Sequence, residues 1–295
     1  MSAHSQLLHP RNRDFRWRLP DGPRRLLDDD QMRAYDRDGG FVLEDVFDPA
    51  AVRTLLDALD PLADESETFL RSQPGGRHLI GRAGEISFSP HLVARSRTLR
   101  EASMQPVLLD LLHDIIGADV RLYWDQAVYK GTTHEEFPWH QDNGYTFVLP
   151  QQYVTCWVAL TDATPANGCP WILPGAHRVG TLAHRWTELG FCCFDGSAAQ
   201  REALRGLLAE VAERDGVTPP SDLLEPRPLA VRAGSVAVFS SLTPHRTGPN
   251  GTGEVRKAYI LQYAPEGAVM YPRDGAPLEA RQPDWQYPVL VSQDR

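Results

Sequence analysis

The stretch Phe137-Pro138-Trp139-His140-Gln141-Asp142-Asn143-Gly144-Tyr145 sets an imidazole and a carboxylate two residues apart. On a strand, residues two apart share a face, so His140 and Asp142 can aim at one point. They make two of the three ligands of a 2-His-1-carboxylate site, which holds iron(II) and leaves positions open for substrate and oxygen. His-x-Asp recurs by chance, so a second histidine has to come from elsewhere in the fold. His4, His9, His78, His91 and His113 precede the strand-rich region or lie in helical context, and His134 sits in a polar loop. His177 and His184 flank a long insertion, where packing or substrate contact suits them better than ligation. His245 follows the strand-like Ser235–Ser240 and Thr243-Pro244, where a second sheet can carry it to the first pair. Arg256 comes eleven residues later.

Other side chains have two readings. Lys130 shares a strand face with Gln126 and is either a solvated strand-end cation or a group at the mouth of the site. Asn143, Tyr145 and Phe147 follow the His/Asp pair closely enough to meet a substrate. Trp186, Phe191 and Phe194 suit contact with a moderately apolar small molecule. Cys192-Cys193 are adjacent in sequence and read as a packed segment; four cysteines in all make no disulfide framework. Pro249–Gly253 is Gly-rich but has no helix after it to receive phosphate, and reads as a turn.

Positioning these groups falls to two kinds of element. Asp28-Asp29-Asp30 followed by Gln31, Met32 and Tyr35 predicts a helix stopped at Gly39-Gly40, and Phe41-Val42-Leu43 a short strand. Asp48-Pro49 caps a helix with apolar residues at Val52, Leu55, Leu56 and Leu59. A third helical stretch spans 98–116. From Asp119 the period changes: Val120–Lys130, Tyr153–Leu160, Leu229–Val231, Ser235–Ser240 and Val255–Tyr263 read as strands separated by Gly/Pro/Asn clusters. Ser197–Arg214 is helical and lies within 178–227, which is too long for a simple connection and reads as a lid. Helices first and many short strands after predict an α+β chain with a mainly β core, a sandwich or small barrel.

Composition narrows the function. The net charge of −9 disfavours a nucleic-acid partner and an anionic membrane surface. No apolar run resembles a signal peptide or a membrane span, which predicts a cytoplasmic protein. Only two of 30 basic residues, Lys130 and Lys257, are lysine, a bias expected of a GC-rich bacterial genome.

His140-x-Asp142, His245 and Arg256 together resemble the phytanoyl-CoA dioxygenase family of iron(II)/2-oxoglutarate oxygenases. Asn167-Gly168-Cys169-Pro170-Trp171-Ile172-Leu173-Pro174-Gly175-Ala176-His177, Trp157 in its strand, and the opening Asp38-Gly39-Gly40-Phe41-Val42-Leu43 with Phe47-Asp48-Pro49 are similar to further family motifs. The resemblance covers most of residues 30–265. It implies a double-stranded β-helix of jelly-roll or cupin type flanked by helices, with iron(II), 2-oxoglutarate and dioxygen as cofactor and cosubstrates. It implies metal binding by His140, Asp142 and His245, and a distal 2-oxoglutarate carboxylate on Arg256, whose planar fork suits bidentate recognition. By the same resemblance Thr247 supports that carboxylate, while Gln126 and Trp157 contact or line its pocket. Asp142 argues against halogenation, because halogenating relatives carry a small residue there.

The expected organisation is one oxygenase domain. It has an arm at 1–27, a mainly helical flank at 28–118, the core at 119–265 with the lid inserted, and a C-terminal extension at 266–295. The expected activity is oxidation of a small molecule in bacterial secondary metabolism, hydroxylation by default, with 2-oxoglutarate going to succinate. An acyl-CoA or amino-acid derivative is the competing substrate class. A cupin-type metal enzyme without 2-oxoglutarate would not need Arg256. A silent jelly-roll binding module would have no reason to keep three ligands and the arginine together.

Overall fold

In the computed structural model the described residues are 5–217, 223–272 and 276–292. The first helix is Asp29–Asp38, closed by a reciprocal capping box between Asp28 and Gln31 and ended by Gly39 at φ 80°. A Cβ at Gly39 would run into Thr243 and His177, so glycine is required there for space as well as for backbone sign. Pro49–Ser72 follows with Asp48 as N-cap and Val52, Leu55, Leu59 and Ala63 buried. The helical stretch expected at 98–116 is two helices, Arg97–Ala102 and Pro106–Ile115. Gln105, held before a proline, takes an extended conformation and breaks the run.

The largest sheet is antiparallel. Its order is Gly40–Leu43, Val236–Ser240, Val154–Ala159, Arg256–Pro265, Val120–Lys130, Ile86–Pro90, Gly81–Arg82 and Arg77–His78. Pro288–Leu290, from the C-terminal extension, pairs with the start of Val120–Lys130. A smaller sheet runs Arg227–Pro228, Pro170–Ile172, His245–Thr247 and Phe137–His140. The two sheets form the jelly-roll, or double-stranded β-helix, with a mainly β core and helices on its flank. Apolar residues from Pro49–Ser72, Arg97–Ala102 and Pro106–Ile115 pack against the outer face of the large sheet through Leu122, Val158, Val238 and Leu261.

The flank at 28–118 contributes the strands between Arg77 and Pro90, and Ile86–Pro90 extends the main sheet beside Val120–Lys130. Ile86-Ser87-Phe88-Ser89-Pro90 alternates over only five residues, too short a run to stand out among helices. The strand expected at Leu229–Val231 is displaced to Arg227–Pro228, with Val231 making a single bridge to Ala163. The insertion at 178–227 holds the hairpin Arg185–Thr187/Gly190–Cys192 and the helix Ala198–Asp215; its residues 218–222 lie outside the described residues. The N-terminal segment is tied down along this insertion, with Asn12 Nδ2 donating to the carbonyls of Val179 (2.8 Å) and Thr181 (3.0 Å).

Candidate metal and cosubstrate site

His140 is the last residue of Phe137–His140, and across the ladder it stands opposite His245, the first of His245–Thr247. Asp142 is not on the strand: the chain leaves the sheet at Gln141 and Asp142 opens a 3-10 turn. The shared strand face expected for His140 and Asp142 is therefore replaced by a strand end and the turn after it. Gln141 makes that turn rigid. Its buried amide donates to the carbonyls of Gly180 (3.0 Å) and Leu242 (2.5 Å) and accepts from the Leu182 amide at 2.6 Å.

One ligand atom from each of His140, Asp142 and His245 lies within 4.8 Å of the others, and His245 Nε2 is 3.7 Å from Asp142 Oδ1. Each imidazole pairs its Nδ1 with a backbone carbonyl, Pro138 at 2.8 Å and Thr243 at 3.0 Å. A carbonyl only accepts, so Nδ1 carries the hydrogen and Nε2 presents its lone pair. Burial, and for His140 also the neighbouring His245, pushes the two imidazoles down to about 3 and about 4, so both are neutral. Burial raises the Asp142 carboxyl, against the opposing pull of His140 and of the Thr155 hydroxyl. Thr155 Oγ1 donates to Asp142 Oδ2 at 2.5 Å and accepts from Gln262 Nε2 at 3.2 Å, leaving Oδ1 toward the imidazoles. Two neutral imidazoles and one carboxylate on one side of a cavity are the donor set of a facial iron(II) site. Thr155→Val is expected to weaken metal binding about tenfold, the lower end for losing a group that orients a ligand. Metal titration of purified protein reads this, and unchanged affinity would assign Thr155 to packing alone.

The triad borders a cavity of about 350 Å³ between the sheets. Arg256, Thr247, Gln126 and Trp157 all line it. Arg256 is 1% exposed, and its Nε, Nη1 and Nη2 make no hydrogen bond among the described residues. Its guanidinium stands 5.0 Å from the Trp157 ring centre. Burial lowers its pKa to about 10, so it remains charged at neutral pH. A buried cation with every donor unpaired is unstable unless an anion completes it. A carboxylate matches the planar fork, so the donor set and this guanidinium together fit iron and a dicarboxylate cosubstrate.

Lys130 does not line the cavity. It is opposite Arg256 across the ladder, buried, and donates to the Gly248 carbonyl and, at 3.4 Å, to Thr247 Oγ1. Tyr145 lines the cavity edge-on to His140, with ring centres 5.4 Å apart. Asn143 turns away, donating to Thr181 Oγ1 (2.7 Å) and accepting from the Val148 amide (2.9 Å). Phe147 stacks on His9, and Trp186 is 54% exposed on the hairpin Arg185–Thr187/Gly190–Cys192; neither lines the cavity. Sequence reasoning missed Thr155, Gln262, Tyr123, Tyr153, Ile86 and Phe88, all of which line it. Thr155 and Gln262 carried a usable signal: they lie in alternating phase with Trp157 and Arg256.

Residues 35–258 match the family model for Phytanoyl-CoA dioxygenase (PhyH). An ectoine dioxygenase from Sphingopyxis alaskensis is 27% identical over 248 residues, covering 79% of this chain and 74% of the relative. An ectoine dioxygenase from Bordetella parapertussis is 30% identical over 161 residues, 52% of this chain, so the match spans only 50% of that relative. Among solved structures, the epimerase SnoN in complex with Fe3+, alpha ketoglutarate and nogalamycin RO superposes with a TM-score of 0.63 at 19% identity, covering 88% of this chain and 97% of SnoN. Among the described residues no helix is long and apolar enough to cross a membrane.

Proposed function

The chain belongs to the phytanoyl-CoA dioxygenase family of non-haem iron and 2-oxoglutarate-dependent dioxygenases, and we propose that it hydroxylates, or otherwise oxidises, a small molecule of bacterial secondary metabolism in the cytoplasm. One observation carries the reading: a fully buried, unpaired Arg256 shares a cavity with the His140/Asp142/His245 cluster. The nogalamycin-bound neighbour stands behind the natural-product reading, and the ectoine dioxygenase and phytanoyl-CoA dioxygenase relatives behind the amino-acid-derivative and acyl-CoA alternatives.

In this reading His140 and His245 hold iron through Nε2, and Asp142 through Oδ1. Arg256 takes the distal carboxylate of 2-oxoglutarate, with the Thr247 hydroxyl beside it and Trp157 and Gln126 walling the pocket. When bound, iron(II) and 2-oxoglutarate supply the oxidising power: one dioxygen is consumed as 2-oxoglutarate becomes succinate and CO2 and the substrate gains one oxygen. The residues of the chain orient that pair and keep water from it. The lid hairpin contributes to this exclusion, since Tyr145 packs edge-on against Phe191 with ring centres 5.0 Å apart. The deciding experiment adds iron(II) and 2-oxoglutarate anaerobically to apoprotein, then oxygen, and measures succinate. A metal-to-ligand absorption band that needs both partners, followed by succinate, supports the reading. Neither band nor succinate from folded protein would overturn it.

Lys130 gives this site a pH signature. Burial first, and then the Arg256 charge, push its pKa down to about 7 in the ligand-free protein. A carboxylate arriving at Arg256 and Thr247 favours the ammonium, so binding takes up a proton. Above about pH 7 the affinity for 2-oxoglutarate should therefore fall with rising pH, by at most about tenfold per unit. Calorimetry in two buffers of different ionisation enthalpy measures the uptake. Lys130→Met should flatten the profile, and a wild-type titration with no proton uptake would refute it.

A further inference from the structure

Charge is scarce in the cavity. Among the described residues lining it, the charged or metal-binding side chains are His140, Asp142, His245 and Arg256, all occupied in the reading above. Ionic groups near the mouth are engaged with one another: Arg82 pairs with Glu85 at 3.2 Å and with Glu135, and Glu136 pairs with Arg246. A substrate carrying a carboxylate, phosphate or ammonium into this space would bury it unpaired, at a heavy penalty. The walls are apolar and aromatic instead. Ile86, Phe88, Val128 and Phe137 form one side, with Phe88 and Phe137 rings 5.7 Å apart and Phe137 edge-on to His140 at 4.9 Å.

Gln126, Thr146, Thr155, Thr247, Gln262 and three tyrosines interrupt those walls, and two of the tyrosines stand out. Buried tyrosines elsewhere in the core satisfy their hydroxyls internally. Tyr259 donates to Asp125 (2.9 Å), Tyr263 to the Ser103 carbonyl (2.8 Å), and Tyr287 is paired with Ser103 Oγ (2.7 Å). Tyr123 and Tyr153 line the cavity, and neither hydroxyl makes a hydrogen bond among the described residues. Their rings meet edge to face at 5.1 Å. A phenol hydroxyl carries one hydrogen to donate. Tyr123 faces inward through a bulge: Gln262 pairs with Trp124 and Tyr263 with Leu122, leaving Tyr123 as the extra residue. The Tyr145 hydroxyl is shut under the lid hairpin, beside Gly190 and the Phe191 backbone.

We propose, resting on the oxygenase reading, that the substrate is an uncharged, ring-bearing small molecule whose hydrogen-bond acceptor meets the hydroxyls of Tyr123 and Tyr153 beside Asp142. These two tyrosines then select the substrate and set which of its carbons faces the metal.

The test uses anaerobic protein loaded with iron(II) and 2-oxoglutarate and three matched probes: tetralin, its neutral ketone α-tetralone, and tetralin carboxylate. Calorimetry should find α-tetralone bound about fivefold more tightly than tetralin, as one net hydrogen bond gives. The carboxylate should bind at least about tenfold more weakly than the ketone. Tyr123→Phe/Tyr153→Phe should erase the preference of ketone over hydrocarbon while the metal-to-ligand band persists, and each single variant should reduce it. The carboxylate binding as well as the ketone, or an undiminished preference in the variants, would overturn the assignment. The wild-type probe series decides the charge question even if the double variant does not fold. A wild-type protein without the band would remove the oxygenase reading and this inference together; a normal band with no ketone preference removes the inference alone.

Discussion

Arg256→Met is expected to raise the dissociation constant for 2-oxoglutarate by at least about thirtyfold, and at the same time to stabilise the ligand-free fold. The two effects share a cause. A buried cation paired to a carboxylate is worth about 2–5 kcal/mol of binding when one partner is removed, which is about thirty- to several-thousandfold in affinity. Among the described residues the same guanidinium is 1% exposed with all three nitrogens unpartnered. Replacing it with an apolar chain of similar length removes an uncompensated charge, for a gain of about 1–4 kcal/mol. Denaturant titration of the apoprotein and band-monitored 2-oxoglutarate titration read the two halves. Arg256→Lys should bind poorly as well, because a point charge cannot reproduce the fork. A variant that binds 2-oxoglutarate normally, or one whose apoprotein is less stable, would show that Arg256 serves the core and not the cosubstrate.

His140→Ala is expected to lower iron(II) affinity by more than about a hundredfold, beyond the 10–100-fold typical of losing an outer partner, and to bring succinate formation to background. The fold should survive, because the strand around His140 is held by its ladder to His245–Thr247 and by the Gln141 amide, and neither involves the imidazole ring. Far-ultraviolet circular dichroism establishes folding, and anaerobic metal titration the affinity. Stripping the wild-type protein with a chelator should abolish succinate formation, and iron(II) should restore it. Retained turnover in His140→Ala would remove His140 from the ligand set.

Several elements were legible from local rules. Asp28, Asp48 and Gly39 act within a few residues of themselves, so the first two helices lie close to where the capping chemistry predicts. The strands Val120–Lys130, Val154–Ala159 and Val236–Ser240 carry strong apolar runs, and their pairing buries them as a run of that kind requires. The short strands of the smaller sheet were not legible as a set, because Pro170–Ile172 and His245–Thr247 are three residues each and take their conformation from neighbours across the ladder.

Residue type and spacing by themselves determined the chemistry on offer: two imidazoles and a carboxylate suited to iron, and an arginine whose fork suits a carboxylate. Tertiary structure alone decided which groups meet. It brings His245 to His140 across a short ladder between segments far apart in sequence, turns Asp142 off the strand toward them, and hides Lys130 behind Thr247. It also takes Asn143, Phe147 and Trp186 away from the cavity and supplies Tyr123 through a bulge. The reason is physical. Ligand type is a property of one side chain, whereas convergence depends on register, bulges and strand ends, which are set by pairing energies summed over distant segments.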